Sequence, residues 1–425
     1  MLQLWLKLGL GVTNVTVVNA AVGGQGADYF SMCVDTLLAD ADAAPAELDL
    51  VILEVALNSF GCELRGVEQP TPPATGAAVI IERLLLLLRA RAPRAAIIFL
   101  NGFGPRFDDA ASCIELIGQF WNVPVLSWKR AVWPLLIEGS ARQDELWAAE
   151  GFKRRAHEDE NFPRPIHPNG EGHRQLAAII VHFWLDAEAR DAAGRHRGRA
   201  EPRTAQVASL THPLYRLSGV THGGTRLLGR SDTSGTPPPF RCTLHNQLQA
   251  SGAYGSGWLQ PDRRVKAYAS STLNATLHVP FTCAREGCGL LVGITASGTQ
   301  PLGQADFYID GQLRLYNVSA SSPSYPKLTV LRYVQVAAAQ GRKATSTLHM
   351  QAGSGCAPSS THSECSLDAG PHTLSVTVRP MKDGVDRWRH LGHFYARGQF
   401  HVRHIVVGNE PFATIDTAQY DRYTR

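Results

Sequence analysis

Leu48-Asp-Leu-Val-Ile-Leu-Glu-Val-Ala56 is the stretch whose reading decides the fold. Its apolar side chains run consecutively through Leu50–Leu53 rather than at every second position. That pattern marks a strand buried on both faces, as in a parallel sheet covered by helices. Strand-like runs of similar texture lie on either side: Val15–Ala21 (VTVVNAA), Arg94–Asn101 (RAAIIFLN) and Val123–Trp128 (VPVLSW). Helix-like stretches separate them. These are Ala27–Ala41, a segment through Leu84–Leu88 after a Pro-rich loop, DDAASCIELIGQFWN (Asp108–Asn122) and Glu171–Ala187. The last carries Leu176, Ile179, Ile180 and Phe183 at core-facing helical spacing. The alternation predicts an α/β domain with a parallel sheet over residues 1–190. Ligands of such sheets bind beyond the carboxyl ends of the strands, which directs attention to the loops after Ala21, Ala56 and Asn101.

The texture then changes. Residues 191–239 are rich in Arg, Gly, Thr, Ser and Pro and end in TSGTPPP, which reads as a linker. The basic cluster Arg195–Arg199 lies within it and reads as a solvated tether. From residue 240 to 412 the strands are short and turn signals recur: Ser271–Phe281, Gly289–Ala296, Ala305–Val318, Leu328–Ala338, His372–Pro380 and Phe400–Gly408. Asp310-Gly311 is suited to the positive φ of a hairpin turn. The expectation is an all-β sandwich, followed by a tail at 413–425. Two domains also suit 425 residues, a length beyond which a single core stops growing.

Composition narrows the classes further. A charged fraction of 18% is too low for a disordered chain, and a net charge of +4 over this length argues against nucleic acid as a partner. The Leu84–Leu88 run is too short to span a bilayer, so no membrane span is expected. Cys283 with Cys288, and Cys356 with Cys365, can each close a short disulfide loop in the β-rich region, whereas Cys33, Cys62 and Cys113 are open to either a thiol or a disulfide role. Asn14-Val-Thr, Asn274-Ala-Thr and Asn317-Val-Ser are glycosylation sequons. Both features point to secretion or an endomembrane lumen. The N-terminus, MLQLWLKLGLG, lacks the charged n-region and cleavage site of a signal peptide. It reads instead as an amphipathic stretch, with Leu2, Trp5, Leu6 and Leu10 on one side. Secretory features without a targeting signal lead to the expectation of an N-terminally truncated chain.

Three loops carry the chemistry. Asn19-Ala-Ala-Val-Gly-Gly24-Gln-Gly follows the first strand-like run, and its glycines let a backbone N–H approach a ligand. Glu54-Val-Ala-Leu-Asn58-Ser59 closes the second run, where a carboxamide can donate to a developing oxyanion or simply cap a turn. His167-Pro-Asn-Gly-Glu-Gly-His173 precedes the last helix. An imidazole there can act as a general base, and His173 can equally be a first-turn packing residue.

In their order, these blocks resemble the SGNH hydrolase superfamily, the GDSL-type esterases and lipases. The resemblance covers about the first 190 residues and implies a three-layer, flavodoxin-like α/β domain. It assigns the Gly24 N–H and the Asn58 side chain to an oxyanion hole and His167 to the base that deprotonates a serine. It implies no metal and no organic cofactor. The 240–412 region resembles the β-sandwich appended to SGNH-like proteins of plants and algae. There Trp258, Tyr268, Tyr308 and Tyr316 can offer faces to sugar rings or fill the core.

The departures are as informative. No Gly-Asp-Ser block lies ahead of Gly24, Ser59 stands where the family has Asp, and Arg164 stands three residues before His167 in place of Asp. Arginine cannot orient the imidazole or stabilise its cation, a task left to Asp159 or Glu160 if any residue performs it. Ser31 and Ser59 do not lie on the sharp strand-to-helix turn that exposes a nucleophile. The sequence therefore leads to an SGNH-type ester hydrolase of carbohydrate or lipid esters, with little or no turnover in this form and no identified nucleophile. The rival is a non-catalytic glycan-binding protein on the same fold. A flavodoxin-like nucleotide binder lacks support, because the Gly24 loop has no phosphate-loop lysine and no dinucleotide spacing.

Overall fold

The computed structural model of the 425-residue chain describes residues 14–22, 25–40, 44–56, 77–102, 111–138, 143–146, 168–192, 240–259, 267–297, 303–320, 329–337, 367–380 and 400–408. The chain divides into two compact units, Met1–Ser31 with Leu37–Ser231, and Met32–Thr36 with Asp232–Arg425. The expected linker lies largely outside the described residues.

The first unit holds a parallel sheet, β1 (Leu50–Leu53), β2 (Ala96–Asn101) and β3 (Val125–Ser127), in that order. Leu53 pairs with Phe99, and Phe99 with Val125. Ile97, Ile98 and Phe99 are all buried at consecutive positions, so β2 is covered on both faces, as its unbroken apolar run requires. The helices are α1 (Ala27–Asp40), α2 (Ala77–Arg91), α3 (Ala111–Trp121), α4 (Trp128–Ile137), α5 (Gln143–Leu146) and α6 (Gly170–Ala192). On α2, Ile80, Ile81, Leu84, Leu85 and Leu88 are buried at helical spacing. Each such side chain contributes roughly 1.5–3 kcal/mol of burial. Gly118 lets α3 approach β3 closely, because a Cβ there would lie 2.3 Å from Val125 Cγ2 and 2.9 Å from the Val123 carbonyl.

Two expectations about this unit are corrected. Val15–Ala21 forms no strand; Val17 and Val18 are 47% and 37% exposed. β-branched residues favour strands only where a pleated, half-buried surface receives them, and this segment has none for those two side chains. The run at Val123–Trp128 is a strand only over Val125–Ser127. Ser127 Oγ accepts the Arg130 N–H and starts α4 at Trp128. That capping serine was the overlooked signal.

Glu82 is a buried carboxyl on α2 that accepts a 2.7 Å hydrogen bond from Trp121 Nε1. Burial pushes its pKa up to about 7, and the indole N–H opposes this only in part. A raised carboxyl pKa means that its contribution is complete below about pH 4.5 and is lost as the pH rises through 7. Glu82→Gln keeps the shape and an acceptor for Trp121. It is expected to stabilise this unit by about 2 kcal/mol at pH 8 and to give no gain at pH 4. Urea unfolding followed by tryptophan fluorescence at both pH values checks this; an equal gain at both would remove the buried charge as the cause.

The second unit is a β-sandwich, as expected. Its strands are β4 (Phe240–Leu244), β5 (Tyr268–Ser270), β6 (Thr276–Cys283), β7 (Gly289–Ser297), β8 (Gln304–Ile309), β9 (Gln312–Ser319), β10 (Thr329–Ala337), β11 (Gly370–Arg379) and β12 (Phe400–Gly408). A short helix, α7 (His245–Ala250), follows β4. One sheet runs β10-β7-β12-β4, with β5 also on β12; the other runs β6-β11-β8-β9. Both are antiparallel. Alternate residues meet in the core: Leu277, Val279, Phe307, Leu374 and Val376 from one sheet, Leu290, Val292, Ile294 and Phe400 from the other. The hairpin turn is where its dipeptide placed it, with Asp310 at φ 52° and Gly311 at φ 78°.

β12 changes phase midway. Phe400 and Val402 face the core, and so do Ile405 and Val407, with a register shift against β7 between Val402 and His404. The bulge turns His404 off that core, where it is buried opposite Gly293. Burial, reinforced by the charges of Arg403 and His245, pushes the pKa of His404 down to about 3, so the ring is neutral.

Two disulfides are placed. Cys283–Cys288 closes the β6–β7 turn, as their spacing suggested. Cys33 bonds to Cys242 across 209 residues, and Thr36 Oγ1 donates to the Cys242 carbonyl at 2.8 Å, which accounts for Met32–Thr36 belonging to the second unit. Cys113 is also disulfide-bonded. The expected Cys356–Cys365 pair lies outside the described residues. No described helix is long and apolar enough to cross a membrane.

Candidate functional site

The carboxyl ends of the parallel strands are partly buried. After β1, Val55 and Ala56 are buried while Glu54 is exposed; β2 ends in buried Asn101. Gln25, just ahead of α1, is 4% exposed, and its N–H donates to the Val22 carbonyl. Asn19 Oδ1 accepts the Ala21 N–H at 3.1 Å, a local turn bond.

Gly24, Asn58 and His167 all lie outside the described residues, as do Ser59, Arg164, Asp159 and Glu160. Ser31 is described. It is buried on α1 and donates to the Asp28 carbonyl at 2.9 Å, the ordinary back-bond of a helix serine. His173 is exposed in the first turn of α6, and its N–H donates to the Asn169 carbonyl. It is not the packing residue that its position allowed.

The chain directly after residue 167 is held firmly. Asn169 Oδ1 accepts the Gly172 N–H at 2.9 Å and caps α6, and Asn169 Nδ2 donates to the Glu145 carbonyl at 2.8 Å. The Asn169 N–H donates to the Leu146 carbonyl at 3.0 Å. Gly172 permits this closeness: a Cβ there would sit 2.3 Å from the Leu146 carbonyl oxygen and 2.8 Å from Pro168 Cβ. Trp128, fully buried, donates from Nε1 to Gln175 Oε1 at 3.3 Å. Sequence reasoning singled out the two histidines of this block and missed Asn169 and Gly172. The Asn-x-x-Gly run at a helix start was the available signal.

On the sandwich, the candidate aromatics separate. Trp258 and Tyr268 are 8% and 3% exposed and belong to the core. Tyr308 is half-buried and Tyr316 exposed. Tyr308 lies on the outer face of the β6-β11-β8-β9 sheet, within a lateral row. Tyr254 pairs with His278 through N–H···O bonds of 3.0 and 2.8 Å, extending the sheet beyond β6. His278 is in register with Ser375, Ser375 with Tyr308, and Tyr308 with Leu313. The Tyr254 and His278 rings stack, with centroids 4.8 Å apart, and His278 Nδ1 lies 2.9 Å from Ser375 Oγ.

Beside the row, Arg379 bonds Asp306 Oδ2 at 2.6 Å, the Tyr308 hydroxyl at 2.8 Å and Asn274 Oδ1 at 3.2 Å. The Asp306 bond is the main cause of a raised Arg379 pKa. Of the sequon residues, Asn14 and Asn274 are exposed. Asn317 is half-buried, its N–H donating to Asp306 Oδ1 at 2.7 Å.

Fold and site together define a two-domain protein, a parallel α/β unit followed by an antiparallel β-sandwich. Two solved structures align along the chain: a two-domain esterase (CEX) active on acetylated mannans, with a TM-score of 0.55, and that esterase co-crystallised with mannopentaose, with a TM-score of 0.53. Each is 14% identical and covers 96% of this chain and 85% of that one. At this identity the likeness is one of fold. No family model and no curated protein matches the chain.

Proposed function

We propose that the protein is a glycan-directed member of the ester-hydrolase type, built on the SGNH arrangement and weak or inactive in ester turnover. The observation that carries this reading is the two-unit fold, which aligns over 96% of the chain with an esterase active on acetylated mannans. The order of the Gly24, Asn58 and His167 blocks along the sequence supports it. In the active form of the reaction, His167 takes the proton of a hydroxyl that attacks an ester carbonyl. The Gly24 N–H and the Asn58 carboxamide hold the resulting oxyanion, collapse of that intermediate expels the alcohol with the proton returned by His167, and water then hydrolyses the acyl-enzyme to release the acid.

Ser31 does not serve as that nucleophile, because it is buried and engaged with its own helix. This, with Arg164 in the position of the orienting carboxylate, favours the second reading, a glycan-binding protein that has kept the fold without the chemistry. Disulfides suit an oxidising compartment, and we place the protein in the secretory lumen or outside the cell.

The test is turnover of 4-nitrophenyl acetate and acetylated mannan oligomers by the 425-residue protein and its His167→Ala variant. Both are expected to remain near background. Turnover that His167→Ala abolishes would overturn the weak-activity reading and return Ser59 as the first nucleophile to examine.

A further inference from the structure

We propose that the outer face of the β6-β11-β8-β9 sheet is a binding surface for an uncharged oligosaccharide, read along the row Tyr254, His278, Ser375, Tyr308 and Leu313. This deepens the glycan-directed reading above and rests on it for the class of ligand. The placement from Tyr254 to Tyr308 is fixed by backbone pairing, and Leu313 pairs with Tyr308 next to a register shift between β8 and β9. The four strands and the Tyr254 bridge beside them span four inter-strand spacings, about 19 Å in all, the length of a short oligosaccharide.

The ends of the row are open. Tyr254 is 64% exposed and Leu313 47% exposed, while His278, Ser375 and Tyr308 between them are half-buried. An exposed tyrosine on a surface is ordinary. Tyr254, however, is fixed by two backbone hydrogen bonds and by its stack on His278, so little side-chain freedom remains to be lost when a ligand binds.

The chemistry of the row selects the ligand. Ring surfaces alternate with hydroxyls: Ser375 lies between the His278 and Tyr308 rings, and the Thr276 and Thr377 hydroxyls pair at 2.9 Å in the adjoining row. A pyranose offers the complement, with apolar C–H faces and a rim of hydroxyl donors and acceptors. Charge argues the same way. Arg379 beside the row is matched by Asp306, so this pair gives the row no excess of the positive charge that a nucleic acid or an anionic lipid surface demands. The interleaved hydroxyls break up the contiguous apolar centre that a stable protein interface needs.

The test uses the full chain with mannopentaose, cellopentaose and xylopentaose as neutral probes and pentagalacturonate as an anionic one, followed by calorimetry. At least one neutral pentaose is expected to bind. Tyr254→Ala should weaken it roughly tenfold with an unchanged melting temperature, and Tyr254→Phe, which keeps the ring, should retain binding. Leu259→Ala removes an equally exposed side chain on the other sheet and should change affinity by less than about twofold. The site is overturned if no neutral probe binds, if Tyr254→Ala has no effect, or if only the anionic probe binds. Ester turnover without pentaose binding would sink this surface and leave the hydrolase reading standing. Pentaose binding lost in Tyr254→Ala, in a protein without turnover, would establish the surface and remove the hydrolase reading.

Discussion

Removal of the Cys33–Cys242 bridge will cost the sandwich unit more stability than removal of Cys283–Cys288. The first closes a sequence separation of 209 residues and the second one of 5. In the chain-entropy account, a cross-link stabilises by restricting the unfolded chain, and the effect grows with the logarithm of the loop it closes. That gives about 5 kcal/mol for the long loop and about 2 kcal/mol for the short one. The Cys33→Ser/Cys242→Ser pair variant should therefore lower the urea midpoint of this unit well below that of Cys283→Ser/Cys288→Ser. A reversed order would show that native-state contacts, rather than the unfolded chain, set what these bridges contribute. The long bridge also fastens Met32–Thr36, whose Thr36 hydroxyl bonds the Cys242 carbonyl, so its loss should raise hydrogen exchange in that segment.

Gly293→Ala is expected to destabilise the sandwich by about 3 kcal/mol, which is large for a single methyl group. A Cβ at residue 293 would stand 2.3 Å from His404 Cε1 and 2.7 Å from both ring nitrogens. The ring is 2% exposed, so it has little room in which to retreat. Backbone conformation is not the cause, since Gly293 lies in β7 opposite the β12 bulge without a positive φ. The cost is steric and specific to one partner, and a double-mutant cycle isolates it. His404→Ala alone leaves a cavity and lowers stability. Adding Gly293→Ala to it should cost much less than in the parent, a coupling of at least about 1 kcal/mol. If the two losses simply add, the ring does not occupy the space that the glycine leaves.

How much was legible follows from how local each signal is. The strand at Leu50–Leu53 and the helix at Ala77–Arg91 were readable because burial on both faces, or on one helical stripe, leaves its period in consecutive residues. The Asp310-Gly311 hairpin and the Cys283–Cys288 loop were readable because both are closed by neighbours in sequence. Val15–Ala21 misled because β-branched composition records a preference, while a strand also needs a surface to pack on. Among the aromatics the strand pattern did not separate Trp258, which is core, from Tyr308, which reaches the outer face. Tyr254, the most exposed of the row, stands alone in a Gly/Ser/Ala-rich stretch, where a single tyrosine carries no periodic signal.

The sequence by itself determined the order of the fold, a parallel α/β unit ahead of a β-sandwich. The tertiary structure decided what depends on partners far along the chain. It brought Cys33 to Cys242 and set His404 on Gly293 through a bulge in β12. It also aligned Tyr254, His278, Ser375 and Tyr308, which come from segments far apart in sequence. The physical reason is register: a side chain's face is fixed by its own strand, but its neighbours are chosen by which strand pairs beside it and at what offset.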